Sequence, residues 1–204
     1  MLFMRNRLLT LWLAGFIILV FIVQNLFGLD LAWTVGTVDV RFFTSMVAHS
    51  SMAHLLGNLF ALLLFGLLLE QLVGTKRFAF VLLSAGIVGN LAGIGTYTKV
   101  LGISGAIYGI LGALVLLRPR MTIWAFGMPM PMAVAGVAWI IGSVLGLFAN
   151  TNTGHLAHLA GIMVGFIIGL AWRKDFPEER KPRKRKHDPL LEHRLDIWER
   201  IYMR

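Results

Sequence analysis

The sequence predicts an all-α, polytopic membrane protein with six transmembrane helices, and three observations support this fold class. Of the 204 residues, 57% are hydrophobic and 14% are charged, whereas charged residues make up about a quarter of a soluble domain. The mean hydropathy is +0.76, and the apolar residues form six runs separated by shorter polar segments. Basic residues recur in alternate connections, as expected when those connections share the cytoplasmic side.

The first three apolar runs are long enough to cross a bilayer. Residues 8–27 carry no charge, and about 20 apolar residues are what a hydrocarbon core of roughly 30 Å requires of one helix. A cleavable signal peptide would have a shorter apolar region, so an uncleaved first helix is expected. Residues 51–69 and 78–97 form the second and third spans. Residues 30–48 contain Trp and Phe side chains typical of a segment at the membrane interface.

The fourth apolar run is short, and its length places a serine inside the membrane. Residues 103–117 are followed by Arg118, and at ~1.5 Å per residue such a helix does not cross the whole bilayer. If the Arg118 end lies at one surface, Ser104 lies below the other. The remaining segments alternate between connections and spans: an apolar, proline-containing connection at 121–131, a fifth span at 132–148, a polar turn at 150–154 and a sixth span at 155–172.

The basic residues also predict the orientation and the division of the chain. If Arg5 and Arg7 remain in the cytoplasm, six crossings place the C-terminal tail there as well. Residues 1–172 are the membrane core, and residues 173–204 are a basic tail with eleven Lys or Arg against seven Asp or Glu, in a chain of net charge +9. The tail is expected to contact anionic headgroups of the plasma membrane, to close in a short surface helix near its end, and to bind no nucleic acid.

Three polar clusters interrupt the apolar spans, and four of the six histidines lie in them. Histidine inside a span is costly and is by default a functional hypothesis. His54 and Asn58 are four residues apart and so share one face of the second span. The clusters are His49-x4-His54-x3-Asn58, Gly102-Ile103-Ser104-Gly105, and His155-x2-His158 followed by Gly161 and Gly165.

One chemistry that could use these clusters is nucleophilic catalysis. It needs a hydroxyl, an imidazole that accepts its proton, and donors for the tetrahedral oxyanion. Ser104 would be the nucleophile and His158 the base. His54, Asn58 and the N–H groups at the start of the fourth helix would be the oxyanion donors. No Asp or Glu adjoins either histidine in sequence, so a Ser-His dyad is favoured over a triad.

A metal site is the alternative chemistry. His49, His54, His155 and His158 could supply imidazole ligands, but this reading leaves the serine between its two glycines without a role. Metal sites usually add a carboxylate or a thiolate, and the chain has no cysteine. Neither a metal nor another cofactor is therefore expected. Glu70, the acid near the end of the second span, is expected to be a structural partner of loop N–H groups.

The clusters, taken in order with their neighbours, resemble the rhomboid family of intramembrane serine proteases. The resemblance covers roughly residues 41–172, and Arg41-Phe42-Phe43 stands where many members have a Trp-Arg pair. The matching motifs are His49-Ser-Ser-Met-Ala-His54-Leu-Leu-Gly-Asn58, Glu70-x3-Gly74, Gly102-Ile-Ser104-Gly105-x2-Tyr108, and Ala157-His158-x2-Gly161-x3-Gly165.

The resemblance implies a six-helix core that hydrolyses peptide bonds of membrane-anchored proteins inside or at the edge of the bilayer. Ser104 matches the nucleophile of the family and His158 its general base. His54 and Asn58 match the oxyanion side chains, and Tyr108 matches the ring that packs against the catalytic histidine. The glycines of these motifs are supporting residues: Gly102, Gly105 and Gly161. His155 is outside the common pattern.

Two functions of different class remain open from the sequence. One is an active protease whose partners are transmembrane protein substrates and the lipid bilayer. The other is a catalytically silent rhomboid-like protein that binds membrane helices as a chaperone or trafficking factor. The presence of both Ser104 and His158 favours the protease, because the silent relatives typically lack one of the two. The sequence predicts neither the identity of the substrate nor an oligomeric state.

Overall fold

The fold is known from a computed structural model that describes residues 9–37, 39–149, 153–178 and 189–202. These residues are mostly helical. Three predictions fall wholly or partly outside the described residues: the basic N-terminus with Arg5 and Arg7, residues 150–152 of the polar turn, and the charged stretch 179–188 of the tail.

Helices form most of the described chain. In chain order they are α1 (Leu9–Leu26), α2 (Arg41–Thr44), α3 (Met52–Val73), α4 (Thr75–Ala92), α5 (Ser104–Leu117), α6 (Met132–Gly146), α7 (His155–Trp172) and α8 (Pro189–Tyr202). Helix α2 continues into a 3-10 turn at Ser45–Val47, and α3 contains a π-helical segment at Leu62–Gly66.

The described chain also contains two small antiparallel sheets that the sequence did not predict. The first pairs β1 (Trp33–Thr34) with β2 (Lys99–Val100). The second is a hairpin of β3 (Thr122–Ala125) and β4 (Met128–Pro131), which lies within the apolar, proline-containing connection expected at 121–131.

Three of the described helices are long and apolar enough to cross a membrane: α1, α3 and α7. They correspond to the first, second and sixth apolar runs. Helices α5 and α6, at the fourth and fifth runs, are apolar but shorter. The membrane character predicted from composition is therefore supported by the helices themselves, and the sixth run begins and ends where the sequence places it.

The predicted ends of the second and third spans differ from the structure. Helix α3 continues past residue 69 to Val73, because the Glu70 side chain is buried and hydrogen-bonded rather than solvated. The chain then turns at Gly74, whose φ of +83° suits glycine. Helix α4 ends at Ala92, five residues before the predicted end at 97, because residues 93–96 fold into turns around Gly95, with φ +80°.

Glycines allow α4, α5 and α7 to pack with their backbones in contact. A Cβ on Gly161 would overlap the carbonyl oxygen of Gly105, and a Cβ on Gly165 would overlap that of Gly109. Such small-residue contacts hold helices together in lipid. The hydrophobic effect does not drive helix association there, because the acyl chains are as apolar as the helix surface. The face of α7 that carries Gly161 and Gly165 is thus the surface that packs on α5.

Glu70 joins the start of α1 to the end of α3. Its carboxylate is 2% exposed and accepts hydrogen bonds from the Leu9 N–H at 2.7 Å, the Thr10 N–H at 2.8 Å and the Thr10 hydroxyl at 2.7 Å. A further bond of 2.8 Å comes from the Thr75 hydroxyl. First-turn N–H groups of a helix lack intrahelical partners, and a carboxylate satisfies them. This is the structural role expected from the sequence.

Candidate active site

Ser104 is the first residue of α5 and follows a glycine in the left-handed region. Gly102 has φ +107°, and its N–H donates to the Ser45 carbonyl at 2.8 Å. The chain turns at Gly102, after β2, and the helix begins at Ser104. The N–H groups of the first helical turn have no intrahelical partner, so the start of α5 offers donors next to Ser104.

His158 meets Ser104 across the contact between α7 and α5. The His158 Nε2 and Ser104 Oγ atoms are 2.8 Å apart, within hydrogen-bond distance. Gly161, one turn later on α7, allows this approach because its Cα lies against the Gly105 carbonyl. The sequence separates Ser104 and His158 by 54 positions, and the glycine contact brings them together.

Tyr108 fixes the plane of the His158 ring. The two rings are stacked with centroids 4.0 Å apart and planes 6° from parallel. Tyr108 is one turn after Ser104 on α5, so the same helix supplies the hydroxyl and the ring. His158 Nδ1 is buried and has no hydrogen-bond partner among the residues that the structure describes. In a catalytic triad, a carboxylate bonded to Nδ1 orients the imidazole. Here the stacked Tyr108 ring orients it instead.

His54 and Asn58 border the same space from α3. A Cβ on Gly102 would lie 2.9 Å from the His54 ring and 3.7 Å from Asn58 Nδ2, so glycine allows the close approach of the turn. The Asn58 amide is 8% exposed, and its Nδ2 has no partner in the described part of the chain. The Ser51 hydroxyl accepts from the His54 N–H at 3.2 Å and caps the helix start.

A cleft of about 1000 Å³ connects these groups. Ser104, His158, His54 and Asn58 line it together with apolar side chains that include Trp139. An unpaired buried amide, a hydroxyl and an imidazole facing one cleft can donate to an anion and move a proton. These four polar side chains thus share one concave surface.

Lys99 lies on the rim of this cleft and pairs with Asp30. Its Nζ is 2.6 Å from the Asp30 carboxylate, and the hydrogen bond from Lys99 lowers the pKa of Asp30 below its usual value. Both groups are exposed, and exposed pairs contribute little to stability. The pair instead links the segment before β1 to β2, beside the strand pairing of the first small sheet.

The other two clustered histidines lie outside the cleft lining. His49 is buried, and its backbone exchanges hydrogen bonds with the Gln24 side chain on α1, at 2.8 and 3.3 Å. His155 packs over Gly146 and contacts the His158 ring edge-on at 5.9 Å. Across the described residues, no group of three or more His, Asp or Glu side chains lies close enough to hold a metal ion. The four histidines form two pairs instead of one cluster.

Two positioning contacts could not be found from the sequence. Asn90 on α4 donates to the Phe42 carbonyl at 2.7 Å and lies 3.4 Å from the Ser45 hydroxyl. These contacts fix the segment around Ser45, whose carbonyl accepts the hydrogen bond from the Gly102 N–H. Tyr97 accepts from the Leu156 N–H at 3.0 Å through its hydroxyl, which caps the start of α7 beside His158. Each contact joins residues more than forty positions apart, and no spacing rule predicts it.

Comparison with known proteins gives one family. The family model of the Rhomboid domain matches residues 37–175. The chain is 29% identical over 157 residues to RHOMBOID-like protein 1 of Arabidopsis thaliana, an alignment that covers 73% of this chain and 39% of that protein. It is 34% identical over 137 residues to Rhomboid protease GluP of Bacillus subtilis, covering 64% of this chain and 25% of that protein.

A third relative is nearer in length. Rhomboid protease GlpG of Haemophilus influenzae is 29% identical over 133 residues, which cover 63% of this chain and 67% of that protein. The chain spans less than two thirds of the length of the plant relative and of GluP. All the motifs that carry the resemblance, from His49 to Gly165, lie inside the matched residues 37–175.

Proposed function

The chain belongs to the rhomboid family, and on that premise we propose that it is an intramembrane serine endopeptidase that cleaves membrane-anchored proteins in or near their transmembrane segment. The observation that carries the proposal is the 2.8 Å contact between Ser104 Oγ and His158 Nε2. A hydroxyl within hydrogen-bond reach of an imidazole is the arrangement that activates a serine nucleophile. The names of the GluP and GlpG relatives support the same activity.

The proposed reaction is acyl transfer with a Ser-His dyad. As Ser104 Oγ attacks the peptide carbonyl carbon, His158 Nε2 accepts the hydroxyl proton. It then gives that proton to the leaving nitrogen as the C–N bond breaks. A water molecule, deprotonated by His158 Nε2, then attacks the carbonyl carbon of the acyl-serine. As the ester C–O bond breaks, Nε2 returns the proton to Ser104 Oγ and the new carboxylate is released. The stacked Tyr108 ring keeps Nε2 directed at Oγ through both steps.

The negative charge of the tetrahedral intermediate needs preorganised donors. We assign them to the first N–H groups of α5, the Asn58 amide and His54. Asn58 Nδ2 is suited to the role because it faces the cleft without a partner. A donor that is already desolvated and unpaired loses no existing bond when the oxyanion forms.

We further propose a core of six spans, α1 and α3 to α7, within residues 1–172, followed by a cytoplasmic tail. Helix α5 has 14 residues, which is ~21 Å at 1.5 Å per residue and shorter than a core of roughly 30 Å. With Arg118 at the cytoplasmic side, Ser104 lies below the opposite surface and receives water from there. Both termini then face the cytoplasm, and the plasma membrane is the proposed location.

This depth limits the substrates. A helix in lipid has every backbone carbonyl and N–H paired, so it must unwind locally before a serine can attack it. Single-pass proteins should be cut in the outer part of their span or just outside it, beside small side chains and near glycine or proline. Mapping product termini by mass spectrometry tests this, and cuts clustered at the cytoplasmic end of the span would contradict the proposed orientation.

The dyad is tested with purified protein and a single-pass model substrate. Ser104→Ala and His158→Ala should each abolish turnover, and the double variant should be no slower than either, because the two residues act as a unit. A fluorophosphonate should label the native chain and leave Ser104→Ala unlabelled. Turnover by Ser104→Ala at the native rate would refute the assignment. A native chain that binds substrate helices without cleaving them would favour the silent helix-binding function.

A further inference from the structure

The hairpin of β3 and β4 is folded back along the membrane core. Its base is closed by the Met132 N–H donating to the Met121 carbonyl at 2.8 Å, at the start of α6. Its tip carries Phe126, whose ring centroid lies 5.0 Å from that of Trp139. Trp139 is seven residues into α6, ~10 Å along its axis at 1.5 Å per residue. The hairpin therefore runs beside the first two turns of α6 instead of away from the bundle.

Trp139 marks the depth that the hairpin tip reaches. Its ring packs edge-on against Phe65 of α3 at 5.4 Å, and it lines the cleft that contains Ser104. A group in contact with Trp139 is consequently inside the helical core region and not beyond its end. The exposed face of α6 next to it is apolar, with Val134, Val137 and Ile141 all exposed, as expected of a lipid-facing helix.

Apart from Thr122 at its base, the outward side chains of the hairpin are also apolar. Ile123 and Ala125 are buried against the core, whereas Trp124 is 67% exposed and Phe126 is 61% exposed. Met128 is likewise exposed. Beyond Thr122, the hairpin therefore adds exposed apolar side chains next to α6, which both of its strands contact. Arg118 and Arg120 precede the hairpin, at the position expected for a headgroup boundary.

The turn residue supports an apolar environment. Phe126 and Gly127 both have positive φ, 54° and 79°, the geometry of a two-residue type I′ turn, which normally takes Asn-Gly or Asp-Gly. A bulky residue at positive φ is unusual and unfavourable. Asparagine would adopt this backbone conformation at lower free energy, so the apolar contacts of the Phe126 ring must offset the strain of its positive φ.

The two prolines of β4 reduce the number of unpaired donors. Because Met121 and Met132 form a hydrogen-bonded pair, the alternation of an antiparallel ladder makes positions 129 and 131 non-bonded, with their backbone groups directed outward. Both positions are proline, which has no N–H. The prolines thus remove half of the four outward N–H groups of the ladder, and an unpaired N–H is most costly in hydrocarbon.

We propose that the hairpin formed by residues 122–131 is a lipid-inserted element, with Trp124, Phe126 and Met128 in the acyl-chain region beside α6. The hairpin would contact the lipid of the bilayer, on the side of the membrane where α5 ends. The argument rests on the exposed apolar side chains of the hairpin beside α6, the depth of the tip contact and the missing donors. It does not depend on catalysis.

The absence of cysteine makes a direct test possible, because any single cysteine carries the only label. Nitroxides are attached to Trp124→Cys and Phe126→Cys in the full chain, reconstituted in vesicles of phosphatidylcholine and phosphatidylglycerol. Collision with oxygen, which concentrates in lipid, is compared with collision with a water-soluble nickel chelate. Ile141→Cys on α6 is the lipid reference, and exposed Lys174→Cys is the water reference. The Ser104→Ala background can be used, so the outcome is independent of the protease assignment.

The proposal predicts oxygen-to-nickel collision ratios at positions 124 and 126 that match Ile141→Cys and exceed Lys174→Cys severalfold. The ratio should also fall from the tip at 126 to the base at Pro131→Cys. Ratios like that of Lys174→Cys would place the hairpin in water and overturn the proposal. Poor access to both reagents, with dipolar broadening between chains, would show a second copy on this face and also overturn it. If Trp124→Cys does not fold, Met128→Cys on the same hairpin decides.

Discussion

Two buried asparagines give a sharp test of the oxyanion site, because they differ in what their amides contact. Asn58 is 8% exposed and Asn90 is 4% exposed. The Asn58 Nδ2 has no partner among the described residues, whereas the Asn90 Nδ2 donates to the Phe42 carbonyl at 2.7 Å. Replacing each by alanine removes a similar volume from the core. The two variants should nevertheless fail in different ways.

Asn58→Ala should lose rate and keep stability. Loss of one preorganised oxyanion donor costs about 2.7–4 kcal/mol in the transition state, which is roughly 10² to 10³ in kcat. The Nδ2 atom makes no hydrogen bond to any described residue, so its loss should change the unfolding free energy little. Asn90→Ala removes the 2.7 Å hydrogen bond to the Phe42 carbonyl, which keeps only the 3.3 Å bond from the Ser45 hydroxyl. It should cost about 0.5–1.5 kcal/mol of stability, with a smaller loss of kcat through the displaced segment.

The assay measures kcat and KM for a single-pass model substrate in proteoliposomes, together with thermal unfolding of the same preparations. The expected pattern is a low kcat with an unchanged Tm for Asn58→Ala, and a lowered Tm for Asn90→Ala. Native turnover by Asn58→Ala would make Asn58 a packing residue and leave the charge to His54 and the backbone. An equal fall in Tm for both variants would refute the reasoning from hydrogen-bond partners.

Further predictions follow from other contacts. Glu70→Ala should lower the unfolding free energy by at least about 2 kcal/mol, because it leaves buried donors of α1 unpaired, and denaturant unfolding of the reconstituted chain measures this. Gly161→Ala should lower both Tm and kcat by separating α7 from α5, whereas Gly142→Ala, with open space around it, should leave both unchanged; equal behaviour would contradict close packing as the cause. Tyr97→Phe removes the acceptor of the Leu156 N–H and should cost about 0.5–1.5 kcal/mol and reduce kcat more than it raises KM. Chelators should leave cleavage intact, and inhibition by EDTA with rescue by zinc would revive the metal hypothesis.

The sequence predicted the helices well where apolar length was the deciding property. The last run, residues 155–172, is helical over its whole predicted length because nothing in it favours a turn. The third run was predicted too long, since hydropathy does not register that residues 93–96 turn around a glycine at positive φ. The hairpin at 122–131 was missed because its apolar residues do not alternate cleanly with polar ones, which is the usual signal of a strand.

The site could be predicted in its parts but not in its geometry. Ser104 and His158 stood out because polar groups in apolar runs are costly, and the resemblance assigned their roles. Their distance depends on glycine contacts between α5 and α7, which no local pattern encodes. The partner-free amide of Asn58 and the cap on α7 by Tyr97 depend likewise on long-range packing.

The bond between Glu70 and the start of α1 has a consequence for how the chain is made. The Leu9 N–H and its acceptor are 61 residues apart, so at about 5–20 residues per second Leu9 is added to the chain roughly 3–12 s before Glu70. Until Glu70 is made, this N–H needs water or another polar partner, because an unpaired N–H is costly in hydrocarbon. Once Glu70 is made, its carboxylate bonds the start of α1 to the end of α3. A chain whose synthesis stops before residue 70 would lack these hydrogen bonds at the start of its first span.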